Sequence, residues 1–236
     1  MALFQGLKIR AALIKHQKGD VDGALKAYDQ LFADGVVQAS YMLPYSVLLL
    51  RQGGKENYEK VKQVLIKAQK ARDMNKEKRQ QLFTNYAVAS WKTGNQDQAL
   101  SLLEASHREA PCGLIYNTLG FLYVEAGDKD KALAYNLEAL EYDGDDPITL
   151  DNLAQTYYRL MDDKETAKRY FDKAHAIKPE QIDTLYFLSR YDLDAGNTQA
   201  AIDKLETAAN GRFSPLNFIT RDHLQAEISR LRAYEG

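Results

Sequence analysis

The sequence predicts an all-helical chain of repeated helix hairpins, and three of its features carry that prediction. The first is a recurring turn, in which glycine precedes aspartate or asparagine at Gly19, Gly94, Gly127 and Gly196. Glycine ends a helix readily because it adopts left-handed backbone angles without strain. The second is a small residue inside each following amphipathic segment, and the third is a set of prolines at the opposite boundary.

The small residues recur with a period near 34 residues. Their intervals are 37, 38, 33, 35 and 34, and their positions are Ala24, Val61, Ala99, Ala132, Ala167 and Ala201. The prolines Pro111, Pro147, Pro179 and Pro215 fall where a first helix should begin, and a missing N–H costs little there. Pro44 is expected in the first turn of a helix that starts around Ser40, with a later helix start as the alternative.

This pattern resembles the tetratricopeptide repeat family, whose units pair two helices over about 34 residues. The clearest unit carries Tyr116, Leu119-Gly120, Tyr123 and Ala132 at the family's motif positions. The following unit has one extra residue in its turn. The resemblance covers nearly the whole chain, with two departures that put local packing in doubt: Asn136 replaces an aromatic residue, and Asp192 replaces an apolar one.

The resemblance implies a right-handed superhelical solenoid of about six hairpins. Their approximate ranges are 4–37, 38–75, 76–111, 112–145, 146–179 and 180–213. Residues 214–236 are predicted to form a final capping helix, with Ser214 as its N-cap, Pro215 as its first residue, and a hydrophobic staple between Phe213 and Phe218. An apolar stripe of Leu224, Ile228 and Leu231 should cover the last hairpin, because a stack of repeats needs a cap at its end.

Composition and charge argue against several function classes. The net charge of −2 provides no overall attraction to nucleic acid or anionic membranes. Four scattered histidines and the single Cys112 form no metal-binding or nucleophilic motif, so we expect no cofactor, no metal and no enzymatic activity. No stretch approaches the roughly 18 apolar residues of a membrane span, and the N-terminus lacks signal-peptide features. We therefore expect a cytoplasmic protein.

A concave groove, lined by the first helix of each hairpin, is the binding surface that the resemblance implies. Mapping the period onto those helices places eleven candidate residues in it: Asn85, Val88, Trp91, Asn117, Phe121, Asn152, Gln155, Tyr158, Arg159, Tyr186 and Arg190. Apolar anchors beside asparagine amides suit an extended peptide, whose backbone the amides can bind. We expect a non-catalytic scaffold that holds a peptide or partner protein there. The alternative is that the aromatic residues pack between helices.

Charge is distributed unevenly, which supplies a second hypothesis. Residues 55–79 contain nine basic and four acidic side chains, net +5, whereas residues 138–165 contain nine acidic and two basic ones, net −7. Such segments could meet between copies of the chain, so a self-associating structural module, and hence a homo-oligomer, is the alternative function. The simpler interpretation is that both segments are solvated outer surfaces.

Overall fold

The computed structural model describes residues 2–235, and it is built from helices joined by short turns. Within that range there are thirteen α-helices and no strand, which confirms the predicted all-helical repeat fold. The chain divides into two compact units, a first unit of residues 1–110 and a second unit of residues 111–236. Each unit has its own set of hairpins.

The first unit contains three hairpins. Its helices are α1 (Ala2–Gln17), α2 (Val21–Ala33), α3 (Ala39–Gln52), α4 (Lys55–Ala68), α5 (Lys76–Lys92) and α6 (Gln96–Glu109). The first helices pack side by side, α1 on α3 and α3 on α5. Between the first two hairpins, the fully buried rings of Tyr28 and Tyr45 lie 5.4 Å apart. Glycines with positive φ end the first helix of the hairpins at Gly19, Gly53 and Gly94.

Helix α3 begins earlier, relative to Pro44, than the sequence suggested. It starts at Ala39, so Pro44 lies in the second turn rather than the first. The expectation for Pro44 was therefore wrong, and one helical hydrogen bond is lost there. The start is set by a distant residue, since Asp73 accepts hydrogen bonds from the backbone N–H groups of Ala39 and Ser40 at 2.8 and 2.9 Å.

The second unit contains three further hairpins and a final helix. Its helices are α7 (Gly113–Ala126), α8 (Lys129–Tyr142), α9 (Pro147–Gln155), α10 (Lys164–Ile177), α11 (Ile182–Asp194), α12 (Thr198–Ala209) and α13 (Arg221–Glu235). Pro147 is the first residue of α9, as predicted, and Asp146 caps it by accepting a hydrogen bond from the backbone of Ile148. The hairpins are the pairs α7 with α8, α9 with α10, and α11 with α12, and α7 also packs against α9.

The extra residue in the fifth repeat is absorbed inside a helix. A π-helical turn, Thr156–Leu160, continues α9, and π-helical turns take up one residue more than α-helical turns. The turn that follows contains Asp162, the one non-glycine residue with positive φ among the described residues.

Asn136, the predicted departure from the family pattern, is part of a buried polar cluster around Gly120. Its side chain is fully buried, and Nδ2 donates to the hydroxyl of Thr156 at 3.2 Å and the carbonyl of Gly120 at 3.4 Å. A β-carbon at Gly120 would overlap Oδ1 of Asn136 and lie 3.3 Å from Nδ2 of Asn152. A larger residue at position 120 would therefore displace the side chain of Asn136 where α7 approaches α8 and α9. The other departure, Asp192, accepts a hydrogen bond from Lys204 at 2.6 Å.

The final helix begins at Arg221, six residues later than Pro215, so the predicted helix start was wrong. Residues 214–217 form a turn instead, in which the N–H of Asn217 donates to the carbonyl of Ser214. The N–H groups of Phe218 and Ile219 bind the carboxylate of Asp183 and are unavailable to a helix. Phe218 packs on Phe187 rather than in the expected staple with Phe213, with ring centroids 5.3 Å apart.

Helix α13 packs its apolar stripe against the last hairpin. Leu224, Ile228 and Leu231 are buried in one cluster with Ile182 and Leu185 of α11 and with residues of α12. Glu227, also buried, forms an ion pair with Arg190 of α11. Both apolar and charged contacts therefore hold this helix on the hairpin.

We predict that Gly120→Ala lowers the free energy of unfolding by about 1 to 3 kcal/mol, because the added methyl group forces Asn136 out of its hydrogen bonds. Gly113→Ala is the matched control, since a β-carbon there meets nothing within 4 Å and alanine favours the start of α7. Denaturant unfolding measures both. Equal stability of Gly120→Ala and the parent would contradict the close approach described above.

We predict that Leu224→Ala destabilises the second unit by about 2 to 5 kcal/mol, the usual cost of removing a fully buried leucine. The neighbouring Gln225 is exposed, so Gln225→Ala should change stability by less than about 0.5 kcal/mol. Thermal and denaturant unfolding provide the comparison. If the two variants unfold alike, α13 does not contribute to the folding of the last hairpin.

Candidate peptide-binding site

The three predicted groove residues of the first unit are buried. Asn85 is 8% exposed and donates from Nδ2 to the hydroxyl of Ser46 at 2.9 Å, while Val88 and Trp91 are 3% and 9% exposed. Little of these side chains is accessible to a partner. Their burial favours the packing alternative for this part of the predicted set.

Tyr158 and Tyr186 of the second unit belong to an aromatic cluster. The ring of Tyr158 lies 5.0 Å from that of Phe187 and 5.9 Å from that of Tyr191. Tyr186 lies 5.9 Å from Phe218, which the C-terminal segment places against the same cluster. These rings pack between neighbouring helices and against the loop before α13, so intramolecular packing occupies much of their surface.

Both predicted arginines are held by acidic partners within the second unit. Arg159 donates to Glu125 at 2.6 Å, and its guanidinium lies 4.1 Å from the ring centroid of Phe218. Arg190 makes a two-pronged ion pair with the buried Glu227 of α13 and donates to the hydroxyl of Tyr186 at 2.8 Å. Paired arginines of this kind fix the C-terminal segment on the repeat rather than attract a ligand.

A cavity of about 500 Å³ lies at the N-terminal ends of α7, α9 and α11, and we call it the second-unit cavity. Three predicted residues line it, Asn117, Phe121 and Asn152. The remaining lining residues come from the same helix ends, the turn before α11 and the loop before α13: Leu114, Thr118, Ile148, Asp151, Lys178, Glu180, Gln181, Ile182, Asp183, Gly211, Arg212, Ser214, Leu216 and Asn217. The structure thus brings part of the predicted set to one opening.

The two asparagines of the cavity are oriented by hydrogen bonds. Nδ2 of Asn152 donates to the backbone carbonyl of Asn117 at 2.9 Å, so Oδ1 of Asn152 stays an acceptor without a partner among the described residues. The amide of Asn117 makes one hydrogen bond with the hydroxyl of Thr149 at 3.0 Å, and that hydroxyl also lies 3.2 Å from Oδ2 of Asp146. One polar group of each asparagine is therefore left for a polar group of a ligand.

Two buried carboxyl groups form the acidic side of the cavity. Asp151 accepts from the hydroxyl of Thr184 at 2.5 Å and from Nε2 of Gln155 at 2.7 Å. Burial raises the pKa of Asp151 above its ordinary value, although these hydrogen bonds and the charge of Arg159 oppose that shift. Burial, together with the nearby charge of Asp151, also raises the pKa of Asp183. Both groups therefore hold protons more tightly than exposed aspartates do.

The sequence pattern missed the residues that close the cavity. Gln181, Asp183, Arg212 and Leu216 lie outside the repeat positions that define the groove, in a turn, a first helical turn and a loop. Gln155 lies beneath the cavity instead, where it bonds Asp151 and Arg159. A usable signal was the aspartate Asp183 in the first turn of α11, one repeat from Ile148 and two repeats from Leu114, which are both apolar.

The charged segments of the sequence have largely local roles. Of the basic segment, Lys62 pairs with Glu59 and Lys78 with Asp73. Of the acidic segment, Asp163 accepts a hydrogen bond from the backbone of Thr166 at the start of α10. Among the residues described, no group of three or more His, Cys, Asp or Glu side chains could hold a metal ion, and no helix is long and apolar enough to cross a membrane.

Stacked hairpins with glycine turns and small residues at the helix crossings define a helical repeat protein. A tetratricopeptide repeat family model matches residues 114–146, which include α7 and α8. Residues 114–146 therefore match a tetratricopeptide repeat, and the described chain has the fold of such repeats.

Solved structures resemble the chain in fold, and one curated protein resembles it over part of its sequence. The chain resembles TTC0263, a thermophilic protein of the same family from Thermus thermophilus, with a TM-score of 0.65, 14% identity and coverage of 83% of this chain and 99% of that one. Pseudomonas aeruginosa pilF gives a TM-score of 0.60 at 14% identity, over 94% and 97%. At such identities the likeness shows the fold alone. Uncharacterized protein ycf37 of Porphyra purpurea is 40% identical over 57 residues, which span 24% of this chain and 33% of that protein.

Two aspartates should make a contribution to stability that falls as pH rises, because their pKa values are raised in the folded state. A protonated Asp151 contributes its full stability below the ordinary pKa of 3.8 and loses it as pH rises through the higher folded value. The contribution of Asp151 and Asp183 to the unfolding free energy should therefore decrease from about pH 4 to about pH 7, by at most about 1.4 kcal/mol per pH unit for each group. His16 opposes this trend, because burial lowers its pKa. Denaturant unfolding at several pH values measures the slope.

Asp151→Asn should flatten that slope, because its amide can donate to Thr184 and accept from Gln155 without titrating. The matched control is Asp145→Asn, since Asp145 is exposed and should leave the parent's slope intact. Equal slopes for the parent and Asp151→Asn would show that the buried carboxyl is already ionised at pH 4.

Proposed function

We propose that this protein is a non-catalytic scaffold whose second unit binds an extended peptide segment of a partner protein in the second-unit cavity. The observation that carries the proposal is the pairing of accessible apolar side chains with free amide groups at one opening. Leu114 is 45% exposed and Ile148 is 40% exposed at the edge of the cavity. Exposed apolar residues beside a cavity commonly mark a binding surface.

The size and chemistry of the cavity suit a peptide. Its volume of about 500 Å³ lies within the usual range for ligand sites. Phe121 and Leu216 extend the apolar surface that Leu114 and Ile148 begin, and a partner's apolar side chains would be removed from water there. The amide of Asn117 would bind a backbone group of the peptide, and the free Oδ1 of Asn152 would accept a hydrogen bond from it.

This proposal narrows the predicted groove to fewer residues. Asn117, Phe121 and Asn152 carry binding in it, while Tyr158, Arg159, Tyr186 and Arg190 support the wall by packing and ion pairing. Self-association through the charged segments is less well supported, because several of their side chains cap helices or form local ion pairs. In this proposal, peptide binding is therefore the work of the residues that line the second-unit cavity.

A random-peptide selection tests the proposal directly. The parent protein is immobilised and used to enrich peptides from a displayed library, and each enriched peptide is then titrated into the purified protein. We expect Ile148→Lys to weaken binding of the enriched peptides by at least about tenfold, because a charged side chain enters an apolar rim.

Ile177→Lys provides the control, because Ile177 is 48% exposed and does not line the cavity. This substitution should leave binding within about twofold of the parent. If no peptide is enriched, or if the enriched peptides bind Ile148→Lys and Ile177→Lys equally well, the cavity is not the peptide-binding site.

A further inference from the structure

Two side-chain amides in the lining of the second-unit cavity present their nitrogen atoms to backbone carbonyl groups. Asn152 donates to the carbonyl of Asn117 at 2.9 Å, and Gln181 donates from Nε2 to the carbonyl of Pro147 at 3.1 Å. A carbonyl can only accept, so each amide must present its nitrogen to it and leave its oxygen free.

Of the two oxygens, Oε1 of Gln181 is buried with no hydrogen-bond partner among the described residues, and Asn152 as a whole is 2% exposed. A buried acceptor without a donor forfeits the hydrogen bonds that water would otherwise make with it. Both residues line the cavity, so a ligand carrying N–H groups is the natural source of the missing donors.

The carboxyl groups beside them add negative charge to the same place. Asp151 and Asp183 line the cavity and are 4% and 5% exposed. Burial raises the pKa of Asp151, and burial together with the charge of Asp151 raises that of Asp183. A positive charge brought into the cavity would favour the ionised form of both groups.

Other charged groups around the cavity do not remove this preference. Lys178, Glu180 and Arg212 line it, Glu180 and Arg212 being exposed and Lys178 half-exposed. Arg159 favours the ionised form of Asp151 but is itself paired with Glu125. With both aspartates ionised, the lining carries three acidic and two basic side chains, and the basic ones reach solvent at the edge.

We propose that the bound peptide is anchored by an arginine side chain whose guanidinium enters the second-unit cavity among Asn152, Gln181 and the two buried carboxyl groups. The proposal rests on the proposed peptide-binding function and specifies its recognition. A guanidinium carries five N–H donors in one plane, so it can serve several separate acceptors at once, whereas an ammonium has three donors on one atom. Its aliphatic stem would lie along the apolar rim.

The anchor should couple binding to proton release. The aspartates hold protons below their raised pKa values, and the guanidinium binds their ionised forms, so each bound peptide displaces protons into the buffer. Affinity should rise with pH until both groups are ionised in the free protein, and level off above that pH.

The peptide selection described above also separates this inference from the proposed function. Enriched peptides should carry arginine next to apolar residues. If the enriched peptides lose binding in Ile148→Lys but show no arginine preference, or prefer lysine, the arginine anchor is wrong and the peptide site stands. If none of the enriched peptides depends on Ile148, both proposals fail.

Calorimetry with one enriched peptide and its citrulline twin tests the charge itself. Citrulline keeps the shape of arginine without the positive charge, so it should weaken binding by at least about tenfold, and it should release fewer protons when buffers of different ionisation enthalpy are compared. Equal affinity of the two peptides at pH 7, or no difference in proton release, would overturn the proposal.

A variant of Gln181 tests whether its side-chain oxygen accepts a hydrogen bond from the arginine. Gln181→Met keeps the length of the side chain and removes its free oxygen, so it should weaken the arginine peptide more than the citrulline peptide. Gln199→Met is the control, since Gln199 is exposed on α12 and lies outside the cavity. If Gln181→Met and Gln199→Met both bind the arginine peptide as the parent does, Gln181 does not contact the anchor and the proposed geometry is wrong.

Discussion

Burial of each hairpin's apolar face against its neighbour is the constraint on which the rest of the structure depends. Two helices alone leave one face in water, so successive hairpins must approach closely, and small residues make that approach sterically allowed. Gly120 shows how tight the requirement becomes, since a single methyl group there would overlap Asn136. The fully buried Ala132, Ala154, Ala167 and Ala201 occupy comparable positions at the other crossings of the second unit.

Where the sequence departs from the family pattern, buried polar groups form hydrogen bonds at the helix crossings. Asn136 replaces an aromatic ring, and its amide binds Thr156, the residue at which the π-helical turn begins. The turn takes up the extra residue of the fifth repeat, so that α10 still packs against α9. The asparagine that replaces an aromatic ring in the fourth repeat is thus hydrogen-bonded to the π-helical turn that takes up the extra residue of the fifth repeat.

The C-terminal segment turns the end of the repeat into a cavity rather than a plain cap. In a helix starting at Pro215, the backbone N–H groups of Phe218 and Ile219 would donate to carbonyl groups of the same helix. They donate to the carboxylate of Asp183 instead, and Phe218 packs on the aromatic cluster beneath Arg159. Gly211, Arg212, Ser214, Leu216 and Asn217 of this segment line the second-unit cavity together with Asp151 and Asn152.

The sequence by itself determined the helical class, the period and most of the turns, because these follow from local backbone preferences and from apolar spacing along one chain. Three of the residues it predicted for the groove, Asn117, Phe121 and Asn152, line the second-unit cavity. Tertiary structure alone decided that Asp183 delays the last helix, that Asp73 starts α3, and that Trp91 is buried. These outcomes depend on contacts between residues more than thirty positions apart, or on burial in the folded chain, and neither leaves a periodic trace in the sequence.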